Sequence, residues 1–182
     1  VYHASASGAG GGAETGRFLL NGGNAYTNEA DVWGDTAPTD KVWTVGGSTW
    51  QGSGNHISYL WHDVPGLQKF GKYIGNASAD GTFIELGFKP AIVWTKRIDA
   101  GSNWLIHDSA RDPSNPVYGT LWGNLNNLEG RSNICIDMTS NGFKHRNADG
   151  GTANNHSGAS YIYCAWAEAP TVNLYGGHAN AR

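Results

Sequence analysis

Three adjacent residues, His107, Asp108 and Ser109, contain the residue types of a nucleophilic catalytic triad. They fall at the end of the strand-like run Trp104–Asp108, where successive side chains point to opposite faces, so they cannot form a triad by themselves. The 15 acidic residues are spread along the chain, and no Glu-x-Asp-x-Glu strand supplies the acid/base carboxylate pair of a glycan hydrolase. The sequence therefore predicts a protein without enzymatic activity.

Candidate metal ligands lack the spacings that metal sites use. Asn76-x-Ser78-x-Asp80-Gly81 offers oxygen ligands in the manner of a calcium loop, but the distal Glu is missing, which favours a plain hairpin turn. The seven histidines form no His-x-x-x-His helix, so we expect His56 and His62 at strand ends on the surface rather than on zinc. Neither a metal nor another cofactor is expected.

The two cysteines, Cys135 and Cys164, both lie in apolar, strand-like runs without Cys-x-x-Cys spacing, so they predict no metal site. Buried free thiols are the favoured interpretation, because free cysteine is among the most buried residue types. A disulfide between them requires Cα atoms within about 7 Å of each other, which a sequence does not show. That pairing stays open.

The aromatic residues are the main candidates for a binding function. Trp33, Trp50 and Trp122 lie in polar or glycine-rich segments, where an exposed ring can stack on a sugar or anchor a subunit interface. Local packing is the third interpretation of these residues, and we carry all three as candidate binding residues. The tryptophans expected in the core lie in strand-like runs: Trp61, Trp94, Trp104 and Trp166.

The segment Gly158–Pro170 is the strongest candidate for a central strand. It follows a Ser-Gly turn, is rich in β-forming residues and ends at a proline, which cannot continue a ladder. Alternation assigns its side chains to two faces. One face carries Ile162, Cys164 and Trp166, and the other carries Tyr161, Tyr163, Ala165 and Ala167. Neither face is strongly polar, so we predict an interior strand that is covered on both sides.

Other short apolar or alternating runs between turn residues predict further strands. In chain order these are Phe18–Leu20, Lys41–Gly46, His56–Val64, Phe70–Ile74, Thr82–Leu86, Ala91–Lys96, Trp104–Asp108, Ile134–Met138 and Phe143–Arg146. The 27 glycines supply many turns, and a chain of 182 residues is long enough for one sizeable core. The predicted fold class is all-β, a sandwich or barrel.

Two parts of the chain repeat each other. Gly54–Pro65 echoes Gly158–Pro170, with a tryptophan and a closing proline in each, and Val1–Ala6 echoes Leu105–Ala110 at almost the same separation. We therefore predict two pseudo-repeats of one supersecondary unit. The two units are residues 1–69 and residues 70–182. Since the segment before Leu105 has no counterpart before Val1, we expect a C-terminal piece of a longer protein, truncated within its first repeat.

The charge and hydropathy of the chain narrow the range of partners. The formal net charge is −3, and the Lys and Arg residues are scattered, which argues against a nucleic-acid-binding surface. No apolar run approaches the length of a membrane-spanning helix, so membrane insertion is not expected.

Several ordered motifs carry a resemblance to a known family. They are Trp33–Pro38, Phe70–Gly81, Gly87–Ala91, Asn103–Arg111, Ser140–Lys144, Ser160–Tyr163, Ala167–Pro170 and Ala179–Arg182. In these motifs, which cover nearly the whole chain, the sequence resembles a repeated C-terminal domain of bacteriophage tail-fibre and other virion structural proteins. The resemblance implies a lectin-type, concanavalin-like β-sandwich of the jelly-roll kind, and it brings no catalytic residues.

The function implied by the resemblance is that of a non-enzymatic virion protein, made in the host cytoplasm and placed in a tail fibre or similar appendage. Its expected partners are copies of itself, other virion proteins and a host-surface glycan, with a homotrimer suggested by the symmetry of many fibres. A purely structural capsid or neck module without a receptor is the first alternative. A glycan hydrolase is the second, against which the missing carboxylate pair argues.

Overall fold

The computed structural model describes residues 1–7, 11–29, 31–47, 55–147 and 153–168. Its large sheet is built from eight strands: β3 (Gln68–Ile74), β4 (Phe83–Glu85), β5 (Pro90–Arg97), β6 (Leu105–Asp108), β7 (Val117–Trp122), β8 (Gly130–Thr139), β9 (Gly142–His145) and β10 (Ser160–Ala167). A 3₁₀ turn (Ala13–Thr15) and a small ladder of β1 (Gly16–Arg17) with β2 (Thr27–Asn28) precede it. Among the described residues, no helix is long and apolar enough to cross a membrane.

The strands of the large sheet are all antiparallel and follow the order β3-β10-β5-β6-β7-β8-β9-β4. The two edge strands come back toward each other. Thr82 Oγ1 donates to the Ile74 carbonyl at 2.7 Å, and Lys69 Nζ donates to the Glu85 carbonyl at 2.8 Å. The sheet is therefore a nearly closed β-sandwich or barrel, and the all-β prediction is confirmed.

Strand β10 is the interior strand that the sequence predicts. It pairs with β3 on one edge and with β5 on the other. Tyr161, Tyr163 and Ala165 face the main core, where each is at most 5% exposed. Ile162 faces the opposite side and is equally buried, against a second apolar cluster. The alternation therefore assigned both faces of this strand correctly.

The main core is rich in aromatic contacts. Tyr73 stacks on Tyr161 with ring centroids 4.9 Å apart, and Phe143 meets the edges of Tyr73 and Tyr163 at 6.4 and 5.6 Å. Such edge and offset contacts add about 0.5–1.5 kcal/mol each beyond the burial of apolar area. Because these rings come from β3, β9 and β10, they tie together the two ends of the strand order.

The N-terminal residues cover the outer side of the sheet. Phe18 packs edge-on against Trp104, whose indole nitrogen donates to the Leu19 carbonyl at 2.9 Å. Lys96 is fully buried below them, and its ammonium donates to the Ser102 carbonyl at 2.8 Å and to the Gly23 carbonyl at 3.4 Å. Burial lowers the pKa of Lys96 to about 8. The Lys96 ammonium thus connects the N-terminal segment to β5 through hydrogen bonds to backbone carbonyls.

Three of the predicted strands do not form, although the structure describes their residues. Phe18–Leu20, Lys41–Gly46 and His56–Val64 are not strands, apart from a single bridge between Val64 and Gln68. Their residues have β-propensity, but a strand also requires a neighbouring strand with which to share its backbone hydrogen bonds. Trp61, expected in the core, is 57% exposed for the same reason, because its segment lies outside the sheet.

The two cysteines are free, as the favoured interpretation predicts. Cys135 on β8 is buried, and Cys164 on β10 is partly exposed. Burial raises the pKa of the Cys164 thiol to about 12, so it stays protonated at neutral pH.

One end of the barrel is closed by polar loops that Asn155 joins. This fully buried side chain donates to the carbonyls of Ser78 and Asn147, both at 3.1 Å, and accepts from the Asn76 amide at 3.0 Å. Its own carbonyl accepts from the Ala77 amide at 2.8 Å. The amide therefore satisfies backbone groups of two other loops at once.

Replacing Asn155 by Ala should lower the free energy of unfolding by about 2–4 kcal/mol, because buried backbone donors and acceptors lose their partners. Urea unfolding followed by fluorescence measures the change. The exposed neighbour Ser157 provides the control, since Ser157→Ala should stay within about 0.5 kcal/mol of the wild type. A loss below about 1 kcal/mol for Asn155→Ala would contradict the joining role.

Candidate functional site

A set of aromatic rings occupies the outer face of the sheet around Trp166. Trp94 on β5 and Phe70 on β3 flank β10 and meet Trp166 edge-on, at centroid distances of 6.0 and 5.7 Å. These contacts follow from the register, because neighbouring antiparallel strands bring side chains on one face within reach of each other. All three rings remain partly exposed.

Two more rings extend this set away from the sheet. Trp61 meets the edge of Trp166 at 6.3 Å, and Tyr59 stacks on Trp61 at 6.1 Å with the ring planes 19° apart. Tyr59 is 73% exposed and Trp61 is 57% exposed. We call Tyr59, Trp61, Phe70, Trp94 and Trp166 the aromatic surface. Contiguous exposed apolar area of this kind marks interaction sites on soluble proteins.

A tight turn holds the segment that carries Tyr59 and Trp61. Val64 and Gln68 exchange two backbone hydrogen bonds of 3.0 Å, and Gly66 between them has φ of 73°, which disfavours residues with a side chain. Asp63 accepts from the Phe70 amide at 2.8 Å, and Gln68 Nε2 donates to the His62 carbonyl at 2.7 Å. The exposed segment is thereby fixed to the first strand of the sheet.

A cleft of about 220 Å³ opens beside this turn. It lies between the start of β3 and the residues after β4, where the two edge strands diverge. Its lining consists of Asp63, Val64, Pro65, Gln68, Lys69, Leu86 and Phe88, and we call it the seam cleft. Gln68 also pairs with Trp166 in the ladder, so the seam cleft adjoins the aromatic surface.

The candidate binding residues from the sequence lie elsewhere. Trp33 is 6% exposed, and its indole nitrogen donates to the Gly16 carbonyl at 2.8 Å, so the side chain serves packing within the chain. Trp122 lies on β7, partly exposed, opposite Leu105. Trp50 lies outside the described residues. The structure does not bring Trp33 and Trp122 into the aromatic surface.

Tyr59 and Trp61 were missed as site residues because the echo of Gly158–Pro170 favoured a buried strand for their segment. One sequence signal points the other way. His56, His62 and Asp63 border the apolar run, which is shorter than its counterpart by one residue. Charged and polar borders are more typical of an exposed segment than of an interior strand.

A family model described as a domain of unknown function (DUF7483) matches residues 1–170. The chain belongs to this family. No curated protein and no solved structure matches it.

The triad residue types are not assembled in this DUF7483 domain. His107 faces the interior, where Nε2 lies 3.0 Å from Thr120 Oγ1 and 3.3 Å from the Ile134 carbonyl. Asp108 instead accepts from the Ala110 and Arg111 amides and forms an ion pair with the Arg111 guanidinium. Those hydrogen bonds outweigh its burial and lower the pKa of Asp108. The two side chains serve opposite faces of β6.

In the loop Asn76–Gly81, two of the oxygen atoms that could bind calcium accept hydrogen bonds from within the loop. Asn76 Oδ1 accepts from the Ser78 amide at 3.1 Å, and Ser78 Oγ accepts from the Asp80 amide at 3.1 Å. The Asp80 carboxylate forms an ion pair with Lys144. Within the described part of the chain, no group of three or more His, Cys, Asp and Glu residues is placed to hold a metal ion.

Two interior histidines give the core an acid-sensitive element. His107 and His145 are fully buried, and burial lowers the pKa of His107 to about 4. Burial, reinforced by the charge of His107, lowers the pKa of His145 to about 3. Neither ring nitrogen of His145 has a hydrogen-bond partner among the described residues, while its ring packs against Tyr73 at 4.7 Å. Both side chains are therefore neutral at pH 7.

The domain should lose stability as the pH falls from 6.5 toward 4. The folded-state pKa values lie below the ordinary histidine value of 6.5, so the unfolded chain takes up protons first. At pH 5 each histidine should cost about 2 kcal/mol relative to pH 7. Urea unfolding at both pH values measures the difference.

The variant His145→Phe keeps the aromatic packing and should remove about 2 kcal/mol of this pH dependence, the share of one histidine, while His107 and the buried His3 keep theirs. The control His62→Phe, at an exposed histidine, should leave it unchanged. Equal pH dependence in the wild type and His145→Phe would show that acid acts through other groups.

Proposed function

We propose that this protein is a non-enzymatic structural module of a bacteriophage virion, carried on a tail fibre or similar appendage, that attaches to a glycan on the host surface. The ordered motifs that resemble tail-fibre proteins support the virion part of the proposal. The stacked, exposed pair of Tyr59 and Trp61 is the observation that carries the attachment part. The aromatic surface takes the place of the buried Trp33 as the proposed contact, and Trp50 and Trp122 stay candidate binding residues.

The chemistry of the aromatic surface suits a glycan. Indole and phenol rings offer a flat apolar face to the C–H side of a pyranose, and their polar tips can remain in water. Tyr59 and Trp61 stack on each other, and the end of their segment is fixed through Asp63 and Gln68, so the two rings are partly preorganised for binding. A rigid sheet that carries exposed binding residues is a common arrangement for recognition.

We further propose that the fold is of the lectin type and contains two diverged pseudo-repeats. Two histidines at matching positions support the repeat. His3 is buried with Nε2 3.1 Å from the Tyr163 carbonyl, as His107 is buried with Nε2 3.3 Å from the Ile134 carbonyl. A turn follows His3 directly and follows His107 after one further strand residue.

A structural module without a receptor is the second candidate function. The same observation can favour it, because aromatic side chains are also enriched at subunit interfaces. In that case the aromatic surface is covered by another copy of the chain in the virion. Labelling the protein on intact particles separates a fibre tip from a capsid or neck position.

The double variant Tyr59→Ala/Trp61→Ala should bind host cells at least about tenfold more weakly than the wild type, since each lost stacking contact is worth about 1 kcal/mol. The measurement uses fluorescently labelled protein on a panel of bacterial strains. A double variant at exposed apolar residues elsewhere, Tyr118→Ala/Leu128→Ala, serves as the matched control. Unchanged binding by the first variant, with its melting temperature retained, would rule out the aromatic surface as the contact.

The mass in solution tests the expected homotrimer. Light scattering after gel filtration should give about three times the chain mass of 19.4 kDa. If Tyr59→Ala/Trp61→Ala converts a trimer to a monomer, the aromatic surface is a subunit contact and the second candidate function gains. A trimer that persists in the variant leaves the surface available to a glycan.

A further inference from the structure

The seam cleft has a defined place in the fold. The edge strands β3 and β4 stay close at one end, where Thr82 bonds to the Ile74 carbonyl. At the other end, the Lys69 side chain reaches across to the Glu85 carbonyl. The seam cleft lies at this open end, next to Asp63 and its turn.

The lining combines an apolar floor with a polar rim. Leu86 and Phe88 are 6% and 1% exposed and belong to the main core, so the floor is rigid. The rim carries a carboxylate from Asp63, an amide from Gln68 and an ammonium from Lys69. This composition, mostly apolar with a few polar groups that converge, is typical of small-molecule sites.

Each rim residue keeps hydrogen-bonding capacity. Asp63 uses Oδ1 for the Phe70 amide, and Gln68 uses Nε2 for the His62 carbonyl. Within the described part of the chain, no hydrogen bond occupies Asp63 Oδ2 or Gln68 Oε1. The Lys69 ammonium donates one bond to Glu85 and has three N–H groups in all. Two acceptors and a charged donor are therefore available around one small space.

The size and position of the seam cleft match one ring of a longer ligand. Its volume of about 220 Å³ is below the roughly 300–1,000 Å³ of pockets for drug-sized molecules. Gln68 pairs with Trp166, and Trp61 precedes Asp63 by only two positions. The seam cleft therefore adjoins the aromatic surface, which gives a glycan on that surface a second site beside it.

We propose that the seam cleft is a subsite for one neutral hexopyranose with free vicinal hydroxyls, a terminal residue of the glycan in the proposed function, on which this inference rests. Hydroxyls both donate and accept, so they satisfy Asp63 and Gln68 as well as Lys69. The carboxylate of Asp63 and the ammonium of Lys69 give the rim no net charge, so a charged sugar would lose hydration there without a net electrostatic gain. A neutral ring carries no such cost and is therefore favoured.

Competition experiments on the intact chain test the subsite. Neutral probes (methyl glucoside, methyl mannoside and methyl galactoside) and charged probes (glucuronic acid and glucosamine) are titrated while tryptophan fluorescence and saturation-transfer NMR are recorded. At least one neutral hexoside should bind at least tenfold more tightly than both charged sugars. Its analogue lacking one of the vicinal hydroxyls should bind more weakly, because buried polar groups then lose their partner.

The variant Lys69→Met should weaken binding of that hexoside about tenfold, whereas Lys72→Met, an exposed lysine on the same strand, should not. Tighter binding of a charged sugar, no binding of any neutral hexoside, or equal affinities for Lys69→Met and wild type would overturn the subsite. If host-cell binding still depends on Tyr59 and Trp61 under those outcomes, the proposed function stands and only the subsite fails. If Lys69→Met melts earlier, Asp63→Asn replaces it, because the asparagine keeps an acceptor for Phe70.

Discussion

Strand β10 is paired on both edges and carries large apolar side chains on both faces, and the arrangement of the rest of the molecule depends on this double constraint. Its inner side chains, Tyr161 and Tyr163, complete the main core. On its outer face, N-terminal residues pack over Ile162, whereas Trp166 remains partly exposed among the described residues. The aromatic surface exists because the described residues cover only part of this outer face.

The incomplete closure of the barrel produces the seam cleft, which lies beside the aromatic surface. Closed sheets remove unpaired edges, which otherwise invite association. Here the edges are joined by the side chains of Thr82 and Lys69 rather than by a backbone ladder. The gap left at the Lys69 end lies over the buried side chains of Leu86 and Phe88 and so forms the seam cleft. A site with an apolar floor and polar rim thus arises from incomplete closure.

The interior of the barrel contains polar side chains whose burial costs stability. His107, Thr120 and His145 are fully buried, and His145 lacks hydrogen-bond partners among the described residues. Burying such groups costs stability, and the cost rises when they become charged. The ring of His145 is nevertheless useful as a flat surface between Tyr73 and Phe143. The aromatic packing of the His145 ring thus offsets part of the cost of burying its polar nitrogens.

The sequence by itself determined the all-β class, most strands of the large sheet and the two faces of β10. These follow from period-two alternation, turn residues and side-chain polarity, which act over a few neighbouring residues. Only the tertiary structure decided which segments of high β-propensity pair with a neighbouring strand. Tyr161–Trp166 and Ile57–Trp61 have similar local patterns, yet one is the centre of the sheet and the other is exposed, because strand pairing depends on residues far away in the chain. The same non-local choice buried Trp33 and left Trp61 and Tyr59 at the surface.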